Sequence, residues 1–208
     1  MYNEHGYSIV DDALDIDDYK KLKVHIQNNS WKFLTNTAGS KVKIDEDSLY
    51  KSSFYQILHS DKNMGEEKKK PIDQICVPFV NCITKFFHLE QVIRIRAGLT
   101  LPQERTIVHG PHTDFDSPHH TALFYFCTEK DAGETYIYDQ KYDPYIYKKW
   151  DDQLDATKDT IKVLDKVEAK ENRCLFFNGN VVHSSTSPQS IYQRIAVNIN
   201  FTGWLRNT

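Results

Sequence analysis

From residue 91 to residue 202 the chain is built of short segments in which β-branched and aromatic residues alternate with polar ones. No helical period interrupts these segments, so a sheet of parallel strands joined by crossover helices is disfavoured. The segments predict about eight strands, at 91–99, 105–112, 119–127, 134–139, 160–168, 172–177, 181–185 and 191–202. We therefore expect a mainly β fold of the antiparallel sandwich or jelly-roll type.

The first 90 residues carry the helical signals and are expected to support the strands. Asp15 to Asp18 supply capping and negative charge for a helix that runs to about Gln27. A second helix begins near Pro71, and its broad apolar stripe from Ile72 to Phe87 suits packing on the face of a sheet. Pro78 kinks this helix or delays its regular start. Short strands at 7–10, 31–37 and 49–58 complete this part.

Composition limits the class of protein. The chain has 208 residues, of which 39% are hydrophobic, and this is enough apolar material for a single domain, residues 1–208. Its 26 basic and 29 acidic residues leave no basic excess to follow a phosphate backbone, so nucleic acid is not favoured as a partner. Four cysteines without Cys-x-x-Cys spacing argue against a zinc site or a disulfide framework. Because signal-peptide and membrane-helix patterns are absent, we expect a soluble, cytoplasmic protein, whose oligomeric state no pattern fixes.

Three residues supply ligand types that bind a metal ion. His112 and Asp114 lie two positions apart, so their side chains project to the same side if the backbone there is extended. His183 lies far along the chain, and only the fold can bring it near this pair. Two imidazoles and one carboxylate are the set that holds ferrous iron on one face and leaves the other face open. His112, Asp114 and His183 are therefore the candidate metal ligands and catalytic residues.

Ordinary structural roles compete with this interpretation. A His-x-Asp pair is common by chance, and a histidine on an apolar strand is often only packed or hydrogen-bonded in the core. His109 could replace one of the ligands if the register were different, whereas His119 and His120 are expected in a loop. The metal interpretation therefore depends on which other residues share the same interior.

The strand predicted at 191–202 supplies that further pattern. Its alternation places Ile195, Val197, Ile199 and Phe201 on one face and Arg194, Ala196, Asn198 and Asn200 on the other. On a surface strand this polar face would need no explanation. If the apolar face packs on the helices, however, Arg194 points between the sheets and needs an anionic partner. The carboxylate of a cosubstrate would provide one.

Two neighbouring strands add polar side chains whose roles stay open. Tyr125 lies on the face opposite Ala122 and Phe124, and its hydroxyl either shares a carboxylate with Arg194 or is satisfied by the backbone. Arg94 and Arg96 share one face of the strand predicted at 91–99. Solvated charges at a sheet edge are the simpler interpretation of this pair, and a lining of the substrate mouth is the other.

Together these motifs resemble the Fe(II)- and 2-oxoglutarate-dependent dioxygenases, in particular the prolyl-hydroxylase-like branch. The resemblance covers about residues 91–202 and rests on His112-x-Asp114, Thr121-x-Leu123-x-Tyr125, Gly133-Glu134-Thr135, His183 and Arg194. It implies a double-stranded β-helix of the jelly-roll type, with helices packed on the major sheet and a catalytic core at 91–202 supported by residues 1–90. It also implies that His112, Asp114 and His183 bind Fe(II). Arg194, with Tyr125, would bind the distal carboxylate of 2-oxoglutarate.

The function that the resemblance implies is hydroxylation of a C–H bond with O2 and 2-oxoglutarate, which gives succinate and CO2 as coproducts. The substrate is expected to be a protein or peptide side chain, such as proline, or a small molecule. The alternative is a non-catalytic, cupin-type jelly-roll binding module, which has no need of a buried carboxylate anchor beside a metal. Substrate specificity is expected to lie in the loops at 38–48, 60–70 and 143–159.

Overall fold

The structure, a computed structural model, describes residues 1–34, 52–61, 71–127, 131–143, 145–147, 149, 152–153, 156, 160–189 and 192–206. The loop predicted at 38–48, residues 62–70 of the next loop and parts of 143–159 lie outside the described residues. The described part of the chain contains two α-helices, α1 (Ile16–Asn28) and α2 (Val77–Thr84). Its strands are β1 (Tyr7–Val10), β2 (Lys32–Leu34), β3 (Ser53–Ser60), β4 (Phe87–Thr100), β5 (His120–Tyr125), β6 (Glu134–Lys141), β7 (Val163–Glu168), β8 (Cys174–Asn178), β9 (Val181–Ser185) and β10 (Arg194–Leu205).

The strands pair antiparallel in two sheets. The larger sheet has seven strands in the order β1-β8-β5-β10-β4-β3-β2, and the smaller has three in the order β7-β6-β9. Isolated bridges from Val108 to Thr186 and from His112 to His183 extend the smaller sheet beside β9. The fold is therefore mainly β with antiparallel sheets, as the sequence predicts.

The ladder between β4 and β10 has two chemically different faces. Its apolar face carries the pairs Ile195–Leu99, Val197–Ala97 and Ile199–Ile95, which pack in the same core as the helices. Its other face carries the pairs Arg194–Thr100, Ala196–Gly98, Asn198–Arg96 and Asn200–Arg94. The alternation that the sequence predicts for β10 is confirmed.

Both helices cover the apolar face of the larger sheet. The carboxylate of Asp15 caps α1 by accepting hydrogen bonds from the first turn. The ring of Tyr19 in α1 stacks on Phe126, with 4.9 Å between ring centroids, and Phe79 in α2 contacts Phe124 at the same centroid distance. Because this face of the sheet is closed by the helices, the polar face of β4 and β10 must point the other way.

A second apolar core lies between the two sheets. The larger sheet contributes Leu123, Tyr125, Leu175, Phe177 and Ala196, and the smaller sheet contributes Ile137, Val167 and Val181. The two sheets therefore face each other, and the polar face of β4 and β10 is enclosed between them. An enclosed polar face must find partners, because unpaired polar groups are costly to bury.

Helix α2 is shorter than its apolar stripe predicts. A 3₁₀ turn at Gln74–Cys76 precedes it, and Pro78 lies in its first turn, so the regular helix starts late. At the other end, Phe87 already belongs to β4, although its ring is buried in the same core as the helix. The stripe therefore predicts the burial of Phe87 correctly and the end of the helix wrongly.

The strand predicted at 105–112 is reduced to the bridges at Val108 and His112. Pro111, which has no N–H group to donate, interrupts the ladder between them. All four cysteines are buried and form no disulfide bond. Among the described residues no helix is both long enough and apolar enough to cross a bilayer.

We predict that Phe79→Ala lowers the free energy of unfolding by about 3–5 kcal/mol, because it leaves a cavity between α2 and the sheet. Urea denaturation followed by circular dichroism measures this change. Phe33→Ala is the matched control, since the Phe33 ring is 57% exposed, and it should cost less than about 1 kcal/mol. Equal losses in the two variants would contradict the packing described for α2.

Candidate functional site

His112 and His183 meet because they form one hydrogen-bonded pair of an antiparallel ladder. The N–H of His112 donates to the carbonyl of His183 at 2.9 Å, and the N–H of His183 donates to the carbonyl of His112 at 3.0 Å. Residues paired in this way carry their side chains side by side on the same face. The two imidazole rings accordingly lie 4.5 Å apart between centroids.

The hydrogen bonds of these imidazoles leave one nitrogen free on each ring. Nδ1 of His112 lies 3.0 Å from the carbonyl oxygen of Gly110, and Nδ1 of His183 lies 3.2 Å from that of Val181. A carbonyl oxygen can only accept, so each Nδ1 carries the proton and donates. Each Nε2 then has a free lone pair, which is how metal-binding histidines are usually oriented.

Asp114 completes the group. The ligand atoms of His112, Asp114 and His183 all lie within 4.8 Å of one another. Nε2 of His183 is 4.0 Å from Oδ2 of Asp114. Two imidazole nitrogens and a carboxylate oxygen at this spacing suit a divalent transition metal. The fold therefore brings the three predicted ligands together between the sheets, on two backbone segments that lie side by side.

Asp114 is held by side chains from three strands of the larger sheet. Its carboxylate accepts hydrogen bonds from Arg94 on β4, Thr121 on β5, and Asn198 and Asn200 on β10, at donor–acceptor distances between 2.9 and 3.2 Å. Such bonds fix the orientation of a carboxylate and stabilise its charge. The loop that carries the His-x-Asp pair is thus attached at its acidic residue to the centre of the larger sheet.

The ionisation of these groups suits metal binding at neutral pH. Burial works to raise the pKa of Asp114, but His183, Arg94 and His112 outweigh it and hold this pKa well below its ordinary value. Burial, together with the neighbouring His112, lowers the pKa of His183 to about 4. At pH 7 the pair is therefore a carboxylate and a neutral imidazole, the forms that bind metals.

A cavity of about 110 Å³ opens beside these residues. It is lined on the larger sheet by the polar face of β4 and β10 and on the smaller sheet by Thr135, His183 and Ser185. The pair Gly98–Ala196 lies in the middle of this face, between Asn198 and Arg194 along β10. Because these two residues are small, they leave a trough that leads from the three candidate ligands toward Arg194.

Arg194 is a buried guanidinium at the far end of this trough, 5% exposed. Its Nη2 donates to Oγ1 of Thr135 at 2.9 Å, and its Cζ lies 5.5 Å from the centre of the Tyr125 ring. Nε of Arg194 has no hydrogen-bond partner, and no carboxylate among the described residues pairs with the guanidinium. A buried, unpaired cation is costly, so this end of the cavity is suited to an anion.

Tyr125 lies beneath Arg194 and does not line the cavity. Its hydroxyl is 2.8 Å from Oγ1 of Thr135, the same oxygen that accepts from Arg194. Burial raises the pKa of Tyr125 to about 12, although Arg194 acts in the opposite direction, so the hydroxyl stays protonated at neutral pH. Tyr125 therefore contacts Arg194 directly through its ring and indirectly through Thr135.

The backbone conformation of Gly133 sets the start of β6, the strand that carries Thr135. Its φ is +84°, and an added Cβ would lie 2.7 Å from the carbonyl oxygen of Thr186. Only glycine avoids both the backbone strain and this clash. The N–H of Glu134 can then donate to Oγ1 of Thr186 at 2.8 Å, which fixes the start of the strand.

Arg94 and Arg96 both line the cavity. Their interpretation as solvated charges at a sheet edge is wrong, because β4 lies inside the larger sheet between β10 and β3. The hydrogen-bonding roles of Arg94, Asn198 and Asn200 at Asp114 were missed from the sequence. The alternation of β10 puts both asparagines on the face of Arg194, but it does not show that Asp114 lies within hydrogen-bond distance of them in the folded chain.

The other histidines near the His-x-Asp pair lie outside the ligand group. His109 is buried, and its Nδ1 is 2.7 Å from the hydroxyl oxygen of Ser185. His119 contacts the carbonyl of Ser117, and His120 contacts the hydroxyl of Tyr2. His109 is therefore adjacent to the site but is not among the three residues whose ligand atoms converge.

No protein-family model matches the chain, and no curated protein matches its sequence. Solved structures with a similar fold include an oxidoreductase of the 2OG-Fe(II) oxygenase family from Burkholderia pseudomallei, with a TM-score of 0.59 and 11% identity over 96% of this chain and 85% of that one. A prolyl hydroxylase from Trichoplax adhaerens, in complex with a peptide fragment of the hypoxia inducible factor oxygen degradation domain, has a TM-score of 0.59 and 11% identity over 96% and 84% of the two chains.

The epimerase SnoN from nogalamycin biosynthesis, in complex with Fe3+, α-ketoglutarate and nogalamycin RO, has a TM-score of 0.59 and 13% identity over 95% of this chain and 78% of that one. At these identities the likeness concerns the fold. The structural neighbours of the chain are thus 2OG-Fe(II) oxygenases, prolyl hydroxylases among them, which confirms at the level of fold the resemblance seen in the sequence.

We predict that the wild-type protein binds one equivalent of Fe(II) under anaerobic conditions, and that His183→Ala weakens binding by about 100-fold or more. Removing a residue that only hydrogen-bonds to a metal ligand already lowers metal affinity by about 10- to 100-fold, and removing a ligand itself should cost at least as much. Equilibrium dialysis with colorimetric iron determination measures both quantities. His109→Gln is the matched control, because His109 lies nearby but outside the group, and it should keep one equivalent. Loss of iron only in His109→Gln would mean that the ligand set is wrong.

Proposed function

We propose that this protein is an Fe(II)- and 2-oxoglutarate-dependent dioxygenase that hydroxylates a C–H bond of a peptidyl substrate, with prolyl included, or of a small molecule. Succinate and CO2 would be the coproducts. The observation that carries the proposal is the combination, in one cavity, of a converging His-Asp-His group and a buried guanidinium that has no anionic partner among the described residues. The fold shared with 2OG-Fe(II) oxygenases supports it independently.

In this proposal His112, Asp114 and His183 hold the iron. The free Nε2 of each imidazole and the carboxylate of Asp114 would supply three donors, and all three residues line the cavity. Arg94, Thr121, Asn198 and Asn200 keep the carboxylate oriented, so the donors need little rearrangement on binding. The donor set fits Fe(II), which favours imidazole and carboxylate ligands in this arrangement.

Arg194 binds the distal carboxylate of 2-oxoglutarate in the proposal. A planar guanidinium matches a carboxylate through parallel hydrogen bonds, and the unpartnered Nε of Arg194 supports such a pairing. The trough over Gly98 and Ala196 has room for the carbon chain between Arg194 and the metal ligands. Tyr125 supports the guanidinium with its ring and through Thr135 rather than by touching the carboxylate itself.

Iron and 2-oxoglutarate would supply the oxidising chemistry with O2, and the protein supplies binding, orientation and exclusion of water. The two facing sheets provide a cavity in which the charges of Arg194 and Asp114 act with little screening by solvent. We also infer that the two sheets form a double-stranded β-helix of the jelly-roll type, and that residues 1–208 are one domain in which residues 1–90 support the core at 91–202.

The second candidate is a non-catalytic, cupin-type jelly-roll binding module that holds a structural metal. The metal group alone would be compatible with it. Arg194 argues against it, because a purely structural metal gives no reason to bury an unpaired guanidinium in the same cavity. The two functions differ in one property, which is the binding of 2-oxoglutarate to the metal-loaded protein.

We predict that 2-oxoglutarate, added to the Fe(II) protein without oxygen, produces the weak visible charge-transfer band of a chelated keto acid. Arg194→Met should raise the Kd for 2-oxoglutarate by about 100-fold or more, because it removes one partner of a desolvated charge pair. Anaerobic titration followed by absorption spectroscopy gives the Kd.

His112→Ala and Asp114→Ala should lose the band because they lose iron, whereas Arg194→Met should keep the iron. An intact charge-transfer band in all three variants, His112→Ala, Asp114→Ala and Arg194→Met, would contradict the proposal. A wild-type protein that binds iron but gives no band with 2-oxoglutarate would favour the binding module instead.

We predict that filling the trough blocks the cosubstrate without disturbing the fold. A Cβ added at Gly98 would have its nearest neighbour at 3.9 Å, an ordinary contact, so Gly98→Leu should fold and project its side chain over the trough. The Kd for 2-oxoglutarate should rise by about tenfold or more, the effect of a steric clash of about 1.4 kcal/mol or more. Gly98→Ala is the size control and should change the Kd far less. An unchanged Kd in a folded Gly98→Leu variant would contradict this path for the cosubstrate.

A further inference from the structure

Arg96 is the one cavity arginine that the proposed iron and cosubstrate sites leave without a role among the described residues. Arg194 is assigned to the distal carboxylate, and Arg94 already donates to Asp114 at 3.2 Å. Arg96 lines the same cavity and is half-buried. Within the described part of the chain it makes no hydrogen bond or ion pair to a carboxylate.

The guanidinium of Arg96 is nevertheless fixed in place. Its Cζ lies 5.0 Å from the centre of the Tyr55 ring on β3, a cation–π contact that orients the planar group. Burial and the neighbouring Arg94 lower the pKa of Arg96 from its ordinary value, and they outweigh Asp114 and Tyr55, which act in the opposite direction. The guanidinium is therefore a partly desolvated cation beside a second cation, and Asp114 only partly compensates for this, so a bound anion would stabilise it.

The position of Arg96 separates it from the proposed cosubstrate path. In the register of the ladder, Arg96 pairs with Asn198, next to the metal ligands, whereas Arg194 pairs with Thr100 at the other end. On its other side Arg96 pairs with Ile57 of β3. Arg96 thus flanks the metal end of the cavity on the side of β3, away from Thr121 and β5.

The net charge of the cavity also favours an anionic substrate. Among the described residues that line the cavity, Arg94, Arg96 and Arg194 are accompanied by a single carboxylate, that of Asp114. A divalent iron and the dianion of 2-oxoglutarate cancel each other, so binding both leaves the excess of positive charge unchanged. A cavity with such an excess attracts an anionic substrate and disfavours a cationic one.

We propose that Arg96, held by Tyr55, is a specificity-determining residue that binds an oxyanion group, a carboxylate or a phosphate, of the substrate. This inference rests on the proposed function and narrows its substrate class to acidic molecules. Arg96 binds the substrate beside the metal and leaves the cosubstrate to Arg194. Carboxylate and phosphate both match the fork of a guanidinium, so the test must distinguish them.

The experiment compares matched pairs of compounds on the anaerobic Fe(II) protein saturated with 2-oxoglutarate. The pairs are glutamate and glutamine, aspartate and asparagine, and phosphoserine and serine, each as the free amino acid and as the central residue of a capped tripeptide. Isothermal titration calorimetry measures binding, and succinate release after admission of air measures coupled turnover. The free and capped forms distinguish an α-carboxylate from a side-chain oxyanion.

We expect at least one acidic member to bind about tenfold or more tightly than its neutral partner, as a charge-assisted hydrogen bond predicts. Arg96→Gln should remove that preference, and Arg96→Lys should keep part of it because the charge remains. Arg105→Gln is the matched control, since it removes the same charge from an exposed residue that does not line the cavity.

Three results would overturn the inference. The first is that no acidic member binds, or that the members of every pair bind equally. The second is that Arg96→Gln keeps the wild-type preference. The third is that Arg96→Gln loses the charge-transfer band with 2-oxoglutarate, which would assign Arg96 to the cosubstrate. Failure of the proposed function itself is distinguishable, because the wild-type protein would then show no band at all, and calorimetry on the metal-free protein would still measure the preference for acidic compounds.

Discussion

The two backbone hydrogen bonds exchanged by His112 and His183 are the contact on which the site depends. They close a long loop of chain, and such closure costs conformational entropy that local contacts cannot offset. The closure is stabilised by the sheets on either side, where Ile137 of β6 pairs with His183 and the core between the sheets is fully buried. Once the pair has formed, the imidazoles lie side by side, and Asp114, two positions after His112, presents its carboxylate to the same cavity. The metal group is thus a consequence of strand pairing rather than of local sequence.

Asp114 shows how the site and the sheet stabilise each other. A buried carboxylate is expensive unless several donors satisfy it, and here the donors come from the three adjacent strands β4, β10 and β5. Each of these donors is in turn directed by a ladder whose opposite face packs on the helices. The apolar contacts of Tyr19 and Phe79 on the outside therefore determine the position of polar atoms on the inside. Side chains held by paired strands in this way keep their geometry better than side chains on free loops.

The sequence predicts most features that depend on the alternation of residues along one strand. It predicts few features that depend on which distant strands pair with each other. The apolar and polar faces of β10 follow from Ile195 to Phe201 alone, because a strand has only two sides. The neighbours of Asp114 do not follow, since Arg94, Asn198 and Asn200 reach it only through the pairing of strands far apart in sequence. The end of α2 is misread for a different reason. Phe86 and Phe87 continue the apolar stripe in helical spacing, but Phe86 lies in a turn and Phe87 begins β4, where its ring is still buried in the same core. The interpretation of Arg96 as an edge charge is wrong because the order of strands places β4 inside the sheet, and the sequence of β4 alone does not determine that order.

The proposed anion sites at Arg194, which is buried, and Arg96, which is half-buried, would couple ligand binding to stability. Arg194 and Arg96 add to the positive charge of the cavity, and burying this charge costs free energy as long as no anion is bound. Apolar packing between the sheets must offset that cost. Any anion that pairs with these arginines binds the folded state and not the unfolded one, and so stabilises the fold in proportion to its concentration over its Kd. Side chains that cost stability in the free protein are retained at binding sites because the interaction with the ligand compensates for them. The polar face of β4 and β10 is best understood in this way: the rest of the sheet provides the stability, and this face carries the proposed binding site.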